Sequence, residues 1–200
     1  MNGFYGSFMR KEKQMKVYEY DSYEEYVKVQ TEINKEKLTW CYVKKRVIQK
    51  IVTKMPELPK TVLCHGTRSG MEQRWFQEYL PEAEVLGTEI SDTATQFDLT
   101  IQWDMQNQKD EWIGKWDVVY TNAFDHCMYP QKTLQTWKDQ LSKGGSLVIE
   151  YAEAGAVHTA ADPVDATLTE VEEMMTNVGF KVSKIPADCR HKGVLIRGTI

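Results

Sequence analysis

The sequence predicts one α/β domain built on a mostly parallel sheet, with helices on both faces and an antiparallel hairpin at the carboxyl end. Short runs of β-branched and apolar residues alternate with segments whose apolar residues recur at helical spacing. The connections are short, as they are between parallel strands and their crossover helices. The last two strand-like runs are joined by too few residues for a crossover helix, so these two strands must pair antiparallel.

A helical extension is predicted before the sheet. Residues 1–20 are polar and are expected to form a loose arm, and residues 22–54 are expected to be helical, with Ser22 at the amino-terminal cap. The apolar residues at helical spacing are Trp40, Val43, Val47, Ile48 and Ile51. We therefore divide the chain into an arm with a helical extension or lid at residues 1–58 and a main domain at residues 59–200.

The main domain begins with a strand, a glycine turn and a helix. Residues 60–64 are β-branched and apolar, residues 65–70 hold the glycines of a tight turn, and residues 71–80 have helical character as far as Pro81. The same alternation then continues. The next predicted elements are a strand at 84–90, a short capped helix at 91–97 and a strand at 98–102.

The second half of the domain contains clear start and stop signals. A proline opens one helix, Gly144 and Gly145 break the chain before a strand, and Thr169 with Glu172 forms a capping box for a helix that Gly179 closes. The predicted elements are a strand at 117–121, a helix at 130–141, a strand at 146–151, a helix at 169–179 and two antiparallel strands at 180–185 and 193–199.

Composition limits the classes of protein that fit. The 200 residues are 42% hydrophobic and 11% aromatic, which suits one domain with a well-buried core. No apolar stretch approaches the roughly 18 residues of a membrane helix, and the first residues lack the apolar centre of a secretory signal. The expected location is cytoplasmic, with no membrane partner. The four cysteines lie far apart, so we expect neither a disulfide framework nor a metal site.

Charge is distributed unevenly along the chain. Residues 1–60 carry 13 Lys and Arg against 8 Asp and Glu, a net charge of +5, whereas residues 61–200 carry 12 against 21, a net charge of −9. A basic stretch consists of Lys44, Lys45, Arg46, Lys50 and Lys54. This stretch could contact nucleic-acid phosphates. A solvated helix face is favoured, because the chain is acidic overall and no aromatic residues are interspersed for base stacking.

The glycine turn is the first segment with a chemical signature. Gly66 and Gly70 stand between a strand and a helix, where a backbone without side chains can approach a ligand and free helix amides favour a carboxylate. With the order of elements, this turn resembles the class I S-adenosylmethionine-dependent methyltransferases, a Rossmann-like family whose sheet ends in an antiparallel hairpin. The resemblance covers about residues 60–200. It implies S-adenosylmethionine as cofactor, with the adenosine held between residues 62 and 125.

The resemblance assigns five residues of the turn to the cofactor site: His65, Gly66, Thr67, Arg68 and Gly70. Two positions in this segment depart from the family pattern. Cys64 stands where the family has an acid, and Arg68 replaces the middle glycine. The contact to the methionine ammonium is therefore expected to differ here, and Arg68 is expected to reach the methionine carboxylate.

Further cofactor residues follow the next strands. The resemblance assigns Glu89 to the ribose hydroxyls, because an acid ends the strand about 20 residues after the glycine turn, and places Ile90 beside it. It assigns Asp104 to the adenine amino group and Met105 to the face of the adenine ring. Asn122, in the loop after the next strand, is expected at the same site because ligands lie beyond the carboxyl ends of the strands.

Asp125 and His126 are the predicted catalytic residues. A histidine beside a carboxylate can accept a proton near neutral pH, as a hydroxyl acceptor would require when it takes a methyl group. A purely structural Asp-His pair is the alternative. Asp125 with the distant Glu150 is too little to predict a divalent metal. Asp117, at the start of its strand, is expected to support structure.

Four aromatic or imidazole residues remain outside these motifs. Trp40 and Tyr42 are predicted to lie on a helix face in the core, with a lid over the site as the alternative. His158 is expected to line the substrate pocket, and His191 is expected in the terminal hairpin turn.

The leading functional hypothesis is transfer of a methyl group to an oxygen or nitrogen of a small molecule, such as a sugar. Asn122 is followed by Ala123 and Phe124, so the Asn/Asp-Pro-Pro-aromatic pattern of enzymes that methylate DNA base amines is missing. Residues 20–30 and the glycine turn also resemble small methyltransferase-like proteins of phages and of bacterial surface-sugar gene clusters. Nucleic-acid methylation is one alternative. A protein that binds the cofactor without transferring methyl groups is another, given Cys64 and Arg68.

Overall fold

The computed structural model describes residues 15–152 and 158–200. The predicted arm at residues 1–20 therefore lies mostly outside the described residues. The helices are α1 Tyr23–Glu36, α2 Lys45–Lys54, α3 Met71–Tyr79, α4 Pro130–Gln140 and α5 Leu168–Val178. The strands are β1 Lys16–Val17, β2 Thr61–His65, β3 Glu84–Glu89, β4 Thr100–Gln102, β5 Trp116–Thr121, β6 Leu141–Tyr151, β7 Val164–Asp165, β8 Lys181–Ile185 and β9 Val194–Thr199.

Seven of these strands form one sheet in the order β4-β3-β2-β5-β6-β9-β8. The pairs from β4 to β6 are parallel, whereas β9 runs antiparallel to both β6 and β8. The predicted fold class is therefore confirmed, including the antiparallel hairpin at the carboxyl end. Within the described ranges, none of the helices is both long enough and apolar enough to cross a membrane.

The core consists of two layers, one on each face of the sheet. Side chains alternate between the two faces along a strand, so Val62 and Cys64 pack beneath α2 and α3 while Leu63 packs towards α4 and α5. The first layer contains Ile48 and Ile51 of α2, both fully buried. Helix α2 thus belongs to the domain core, although it lies within the predicted extension.

The predicted helical region at residues 22–54 is two helices and a connection. Helix α1 begins at Ser22, whose Oγ accepts a hydrogen bond from the Glu25 amide at 3.1 Å, as expected for its cap. Residues 37–44 then interrupt the helix. This segment is rich in β-branched and aromatic residues, which lose side-chain freedom in a helix. Trp40 lies in the connection and is 55% exposed, so its predicted place on a core helix face is wrong.

Two further boundaries differ from the prediction. The capping box of α5 is formed by Thr167 and Glu170, two residues before the predicted pair. Both pairs have the right spacing, but the Glu170 carboxylate also accepts a hydrogen bond from the Met15 amide at 2.6 Å, a contact between distant parts of the chain. Strand β6 starts at Leu141, five residues earlier than predicted, because Leu141 pairs with Trp116 of β5. The expected break at Gly144 lies within the strand as an irregularity: Gly144 has φ +82°, and regular pairing with β5 resumes at Ser146.

Helix α1 lies over the carboxyl ends of the parallel strands. Tyr23 donates a hydrogen bond to Asp104 Oδ2 at 2.9 Å, and Asn34 accepts one from Thr93 at 2.8 Å. The Lys35 ammonium pairs with Asp92 at 2.8 Å. These contacts cover the end of the sheet at which ligands bind in open α/β folds.

Candidate active site

A cavity of about 510 Å³ opens beyond the carboxyl ends of β2, β3, β5 and β6. The strand order reverses between β2 and β5, because the chain proceeds outward through β3 and β4 before it returns to β5. Such a reversal leaves a crevice at the strand ends. Ten of the twelve predicted site residues line this cavity: Gly66, Thr67, Arg68, Glu89, Ile90, Asp104, Met105, Asn122, Asp125 and His126.

The glycine turn brings two chain segments into close approach. Gly66 has φ +67°, and a Cβ built on it would lie 2.6 Å from the Cβ of Ala123, which follows β5. Only glycine fits this position, because both the backbone angle and the space exclude a side chain. The turn is further held by the Thr67 amide, which donates to the Thr88 carbonyl at 3.1 Å.

Arg68 turns its side chain towards the connection between α1 and α2. Its guanidinium lies 5.2 Å from the centre of the Tyr42 ring, and one nitrogen donates to the Trp40 carbonyl at 3.5 Å. Its Nε atom is buried and has no hydrogen-bond partner among the described residues. Arg68 thereby fastens residues 37–44 over the cavity, and its expected contact to a methionine carboxylate stays a prediction.

His65 is the clearest departure from the predicted site. Its ring lies in the core, 2.9 Å from Thr88 Oγ1 and 2.9 Å from Gln140 Oε1, and it stacks on Trp137 at 5.4 Å. Burial lowers the pKa of His65 to about 4, so the ring is neutral at physiological pH. His65 points to the same face of β2 as Leu63, away from the cavity, because side chains alternate along a strand.

Gly70 also lies outside the cavity. It is the residue before α3, with φ +71°, and a Cβ built on it would lie 3.1 Å from the side chains of Gln73 and Thr100. Gly70 therefore allows the turn to enter α3 and to pack against β4. The prediction of a side-chain-free approach to the ligand holds for Gly66 and not for Gly70.

Glu89 ends β3 with its carboxylate held in place by backbone amides. Oε2 accepts a hydrogen bond from the Arg68 amide at 2.8 Å, and Oε1 accepts one from the Ser91 amide at 3.1 Å. The residue is 6% exposed and lines the cavity. Each carboxylate oxygen has two acceptor positions, so both oxygens can still accept hydrogen bonds from a ligand.

Asp104 is held similarly just beyond β4. Oδ1 accepts a hydrogen bond from the Gln106 amide at 3.0 Å, and Oδ2 accepts one from the Tyr23 hydroxyl at 2.9 Å. The neighbouring Met105 is 6% exposed, and its carbonyl accepts a hydrogen bond from the Trp137 indole at 2.9 Å. Tyr23 was not predicted for this site, because only the packing of α1 brings it there.

Asp125 and His126 meet a third residue, Asp162. His126 Nε2 lies 3.9 Å from Asp125 Oδ1 and 3.8 Å from Asp162 Oδ1. His126 Nδ1 lies 2.8 Å from the Ala161 carbonyl, which can only accept, so Nδ1 carries the proton and Nε2 is the basic atom. Burial raises the pKa of Asp125, against the opposing charge of His126. Gln30 of α1 also faces Nδ1, at 3.1 Å.

The three side chains are close enough to share a ligand. Their potential ligand atoms all lie within 4.8 Å of one another, a spacing that could hold a metal ion. Asp162, rather than Glu150, is the second carboxylate beside Asp125 in this cluster. Glu150 lies elsewhere in the cavity, where it accepts a hydrogen bond from the Tyr120 hydroxyl at 3.0 Å.

Other sequence predictions have mixed outcomes. Asp117 supports structure, as predicted, because it accepts hydrogen bonds from the Lys60 amide at 2.8 Å and from the Ser142 hydroxyl at 2.8 Å. His191 lies in the hairpin turn and lines the cavity. His158, expected in the substrate pocket, instead packs 5.8 Å from Tyr18 and does not line the cavity.

Glu72 is the functional candidate that sequence reasoning missed. It stands in the first turn of α3, lines the cavity and is 5% exposed. Burial raises the pKa of Glu72 to about 8. The available signal was an acid two residues after the glycine turn, but its burial depends on the packing of α3 against the sheet.

Comparisons with known proteins identify the fold. No protein-family model matches the sequence, and no curated protein matches it. Among solved structures, 1,6-didemethyltoxoflavin-N1-methyltransferase from Burkholderia thailandensis superposes with a TM-score of 0.67 at 14% identity, over 96% of this chain and 97% of that one. The chain has the class I methyltransferase fold. The predicted resemblance is confirmed at the level of the fold.

Two further structures share the class I methyltransferase fold with this chain. A S-adenosylmethionine-dependent methyltransferase from Thermotoga maritima has a TM-score of 0.57 at 15% identity, over 89% of this chain and 99% of that one. A chain from the complex between the Haloferax volcanii Trm112 methyltransferase activator and a methyltransferase superposes with a TM-score of 0.64 at 17% identity. The match covers 88% of the present chain and 97% of the chain from the complex. The fold is thus shared over nearly whole chains despite low identity.

Proposed function

We propose that this protein is a S-adenosylmethionine-dependent methyltransferase that methylates an oxygen or nitrogen atom of a small molecule. The observation that carries the proposal is the pair of buried carboxylates, Glu89 and Asp104, which lie at the ends of adjacent parallel strands and face one cavity. In this arrangement one carboxylate can accept hydrogen bonds from the ribose hydroxyls, and the other can accept a hydrogen bond from the adenine amino group.

The residues present fit such a cofactor. A cavity of about 510 Å³ lies within the roughly 300–1,000 Å³ typical of small-molecule sites. Gly66 keeps the turn free of a side chain, and both oxygens of Glu89 retain acceptor positions beyond the amides that hold them. Met105, Ile90 and Asn122 line the cavity, and in this proposal Met105 packs on the adenine ring.

The catalytic step depends on His126 in this proposal. When bound, S-adenosylmethionine supplies a methyl group carried on a positively charged sulfur. Nε2 of His126 takes the proton from the acceptor oxygen or nitrogen, because Nδ1 is held by the Ala161 carbonyl. Asp125 and Asp162 then stabilise the charged imidazole from 3.9 and 3.8 Å. The enclosed cavity aligns the acceptor, which supplies much of the rate of a direct displacement.

A small acceptor suits the partly covered shape of the site. Helix α1 and residues 37–44 lie over the strand ends, and Trp40 and Tyr42 from this connection line the cavity. The neighbour from B. thailandensis was solved with a small heterocycle, 1,6-didemethyltoxoflavin, and with S-adenosylhomocysteine. Both observations favour a small molecule over a polymer.

The basic residues near α2 support the same choice. Lys45 pairs with Glu78, Arg46 pairs with Asp188, and Lys44 lies 3.3 Å from Asp188. Their charges are thus partly neutralised by the protein's own carboxylates. A nucleic-acid methyltransferase would need free cations for phosphates, and its binding to DNA or RNA would weaken steeply with salt.

Calorimetry with S-adenosylhomocysteine tests the cofactor site. We expect the wild type to bind, and we expect Glu89→Ala and Asp104→Ala each to weaken binding about 10- to 100-fold, because each removes hydrogen bonds to a buried carboxylate. Glu84→Ala is the matched control, since Glu84 is the exposed first residue of the same strand as Glu89. Absence of binding by the wild type would refute the proposal.

Transfer of a labelled methyl group tests the reaction. The wild type is incubated with labelled cofactor and with separated small-molecule and nucleic-acid fractions of a cell extract. Label in the small-molecule fraction is the expected result. Label in nucleic acid would favour the alternative acceptor, and cofactor binding without any transfer would indicate a binding protein.

A further inference from the structure

We infer that Glu72 is the carboxylate that receives the α-ammonium group at the methionine end of the cofactor, with Glu150 as a second carboxylate nearby. This inference rests on the proposed function, because it assumes that S-adenosylmethionine occupies the cavity. The chain has Cys64 where the resembling family has an acid. We assign the role of that acid to Glu72, on the helix that follows the glycine turn.

Position is the first support for this assignment. Glu72 stands in the first turn of α3, immediately after the glycine turn, and both Glu72 and Glu150 line the cavity. Cys64, on β2, is fully buried between the sheet and the helices that cover it, and its thiol lies within the electrostatic reach of Glu72. Glu72 therefore offers a carboxyl group to the cavity from the helix that follows β2, close to the buried Cys64.

The second support is that no side chain in the described part of the chain forms an ion pair with Glu72. Its carboxyl accepts a hydrogen bond from its own backbone amide, and within residues 15–152 and 158–200 no other side chain donates to it. Arg68, whose positive charge acts on Glu72, has its guanidinium over the Tyr42 ring. A carboxyl group that is 5% exposed and lines a ligand cavity without a partner is suited to a cationic ligand.

Glu150 differs from Glu72 in being well satisfied by the protein. It accepts hydrogen bonds from the Tyr120 hydroxyl at 3.0 Å, from the Cys189 thiol and from the Arg190 amide. Glu150 therefore contributes negative potential from a fixed position. Glu72 retains the free acceptor positions for a direct hydrogen bond from an ammonium group.

The surroundings of Glu72 determine how its charge responds to a ligand. The ionisable groups that face it are Arg68 of the glycine turn, Glu89 of β3, Glu150 of β6, Cys64 of β2, Tyr120 of β5 and Cys41 of the connection. Burial raises the pKa of both thiols and of the tyrosine, so these three are neutral near pH 7. Among the charged groups that act on Glu72, two carboxylates, Glu89 and Glu150, outnumber one cation, Arg68.

An ammonium ligand would therefore change the protonation of Glu72. With a pKa of about 8, the Glu72 carboxyl is mostly protonated at pH 7 in the free protein. An ammonium group lowers that pKa, so binding releases a proton, and affinity rises as pH increases towards 8.

The experiment compares two ligands that differ only in the amino group: S-adenosylhomocysteine and its deaminated analogue. For Glu72→Gln we expect binding of S-adenosylhomocysteine to weaken about 10- to 100-fold, because a charge-assisted hydrogen bond is lost. Binding of the deaminated analogue should change less than about twofold. Retained binding of the analogue also demonstrates that the variant is folded.

Proton release provides a second readout. Calorimetry at pH 7 in phosphate and in Tris, which differ in ionisation enthalpy, should show proton release by the wild type with S-adenosylhomocysteine and none by Glu72→Gln. Glu78→Gln, an exposed position on the same helix, is the matched control and should behave as the wild type does.

The outcomes separate the two proposals. Suppose that the wild type binds both ligands. If Glu72→Gln then weakens the binding of both ligands equally, or of neither, the assignment of Glu72 is wrong and the proposed function stands. If the wild type binds neither ligand, the proposed function fails and the assignment fails with it. Glu150→Gln should weaken the binding of S-adenosylhomocysteine less than Glu72→Gln does, because the hydrogen bonds of Glu150 are made to protein groups rather than to the ligand.

Discussion

At the end of the cavity beside β3 and β4, every oxygen of the Glu89 and Asp104 carboxylates receives a hydrogen bond from the protein. At the end beside β2 and α3, the Glu72 carboxyl receives one from its own backbone amide and, among the residues that the structure describes, none from another side chain. The first pair is arranged before any ligand arrives and suits neutral donors such as hydroxyls. The buried Glu72 carboxyl is neutralised by a proton in the free protein, and in our proposal a cationic ligand takes the place of that proton.

The largest expected effect is on kcat, at a residue outside the two groups of carboxylates, Glu89 with Asp104 and Glu72. His126→Asn removes the base beside the acceptor, so kcat should fall about 100- to 10,000-fold. The affinity for S-adenosylhomocysteine should stay within about threefold of the wild type, since Glu89, Asp104 and Glu72 are untouched. Kinetics with an identified acceptor, together with calorimetry, check both parts. Equal kcat in the variant would leave the Asp-His pair with a structural role only.

Stability against pH distinguishes the two ends directly. The folded-state pKa of Glu72, about 8, lies above its unfolded value of 4.5, so the free protein loses stability as pH rises through this interval. Between pH 6 and pH 9 the wild type should therefore lose about 2 kcal/mol more free energy of unfolding than Glu72→Gln. Urea unfolding at the two pH values measures this difference.

The same substitution at the other end should have the opposite effect. Glu89→Gln exchanges a carboxylate that accepts two backbone amides for a neutral amide, so the free energy of unfolding should fall by about 1–3 kcal/mol at pH 7. If Glu72→Gln and Glu89→Gln responded alike at both pH values, the contrast between the two ends would be refuted.

The turn that joins the two ends should tolerate no side chain. Gly66→Ala adds a Cβ 2.6 Å from that of Ala123 at φ +67°, so unfolding should become easier by about 2 kcal/mol or more. Gly114→Ala is the matched control, because Gly114 has φ +66° but no atom within 4 Å of the added Cβ. The Gly114→Ala variant should lose only the free energy of unfolding that the positive φ costs a residue with a side chain, about 1 kcal/mol. Chemical denaturation compares the two variants, and equal losses would contradict the close approach.

Much of the sheet and of the cavity wall at Glu89 and Asp104 could be predicted, because local sequence patterns indicate where strands end. A run of β-branched residues followed by a turn marks the end of a strand, and the first acid after that strand lies at the edge where ligands bind. Glu89 and Asp104 follow this rule, and both line the cavity. His65 lies in the core rather than in the predicted site, because the two-residue period of a strand turns its ring to the same face as Leu63.

The sequence by itself determined the order of strands and helices, the antiparallel hairpin and the glycine turn, because these depend on residues close together in the chain. Tertiary structure alone decided that Tyr23 meets Asp104, that Gln30 meets His126, and that Glu72 is buried. The first two contacts join residues 81 and 96 positions apart. Burial and long-range contacts follow from how the helices pack on the sheet, which no local pattern of residue types specifies.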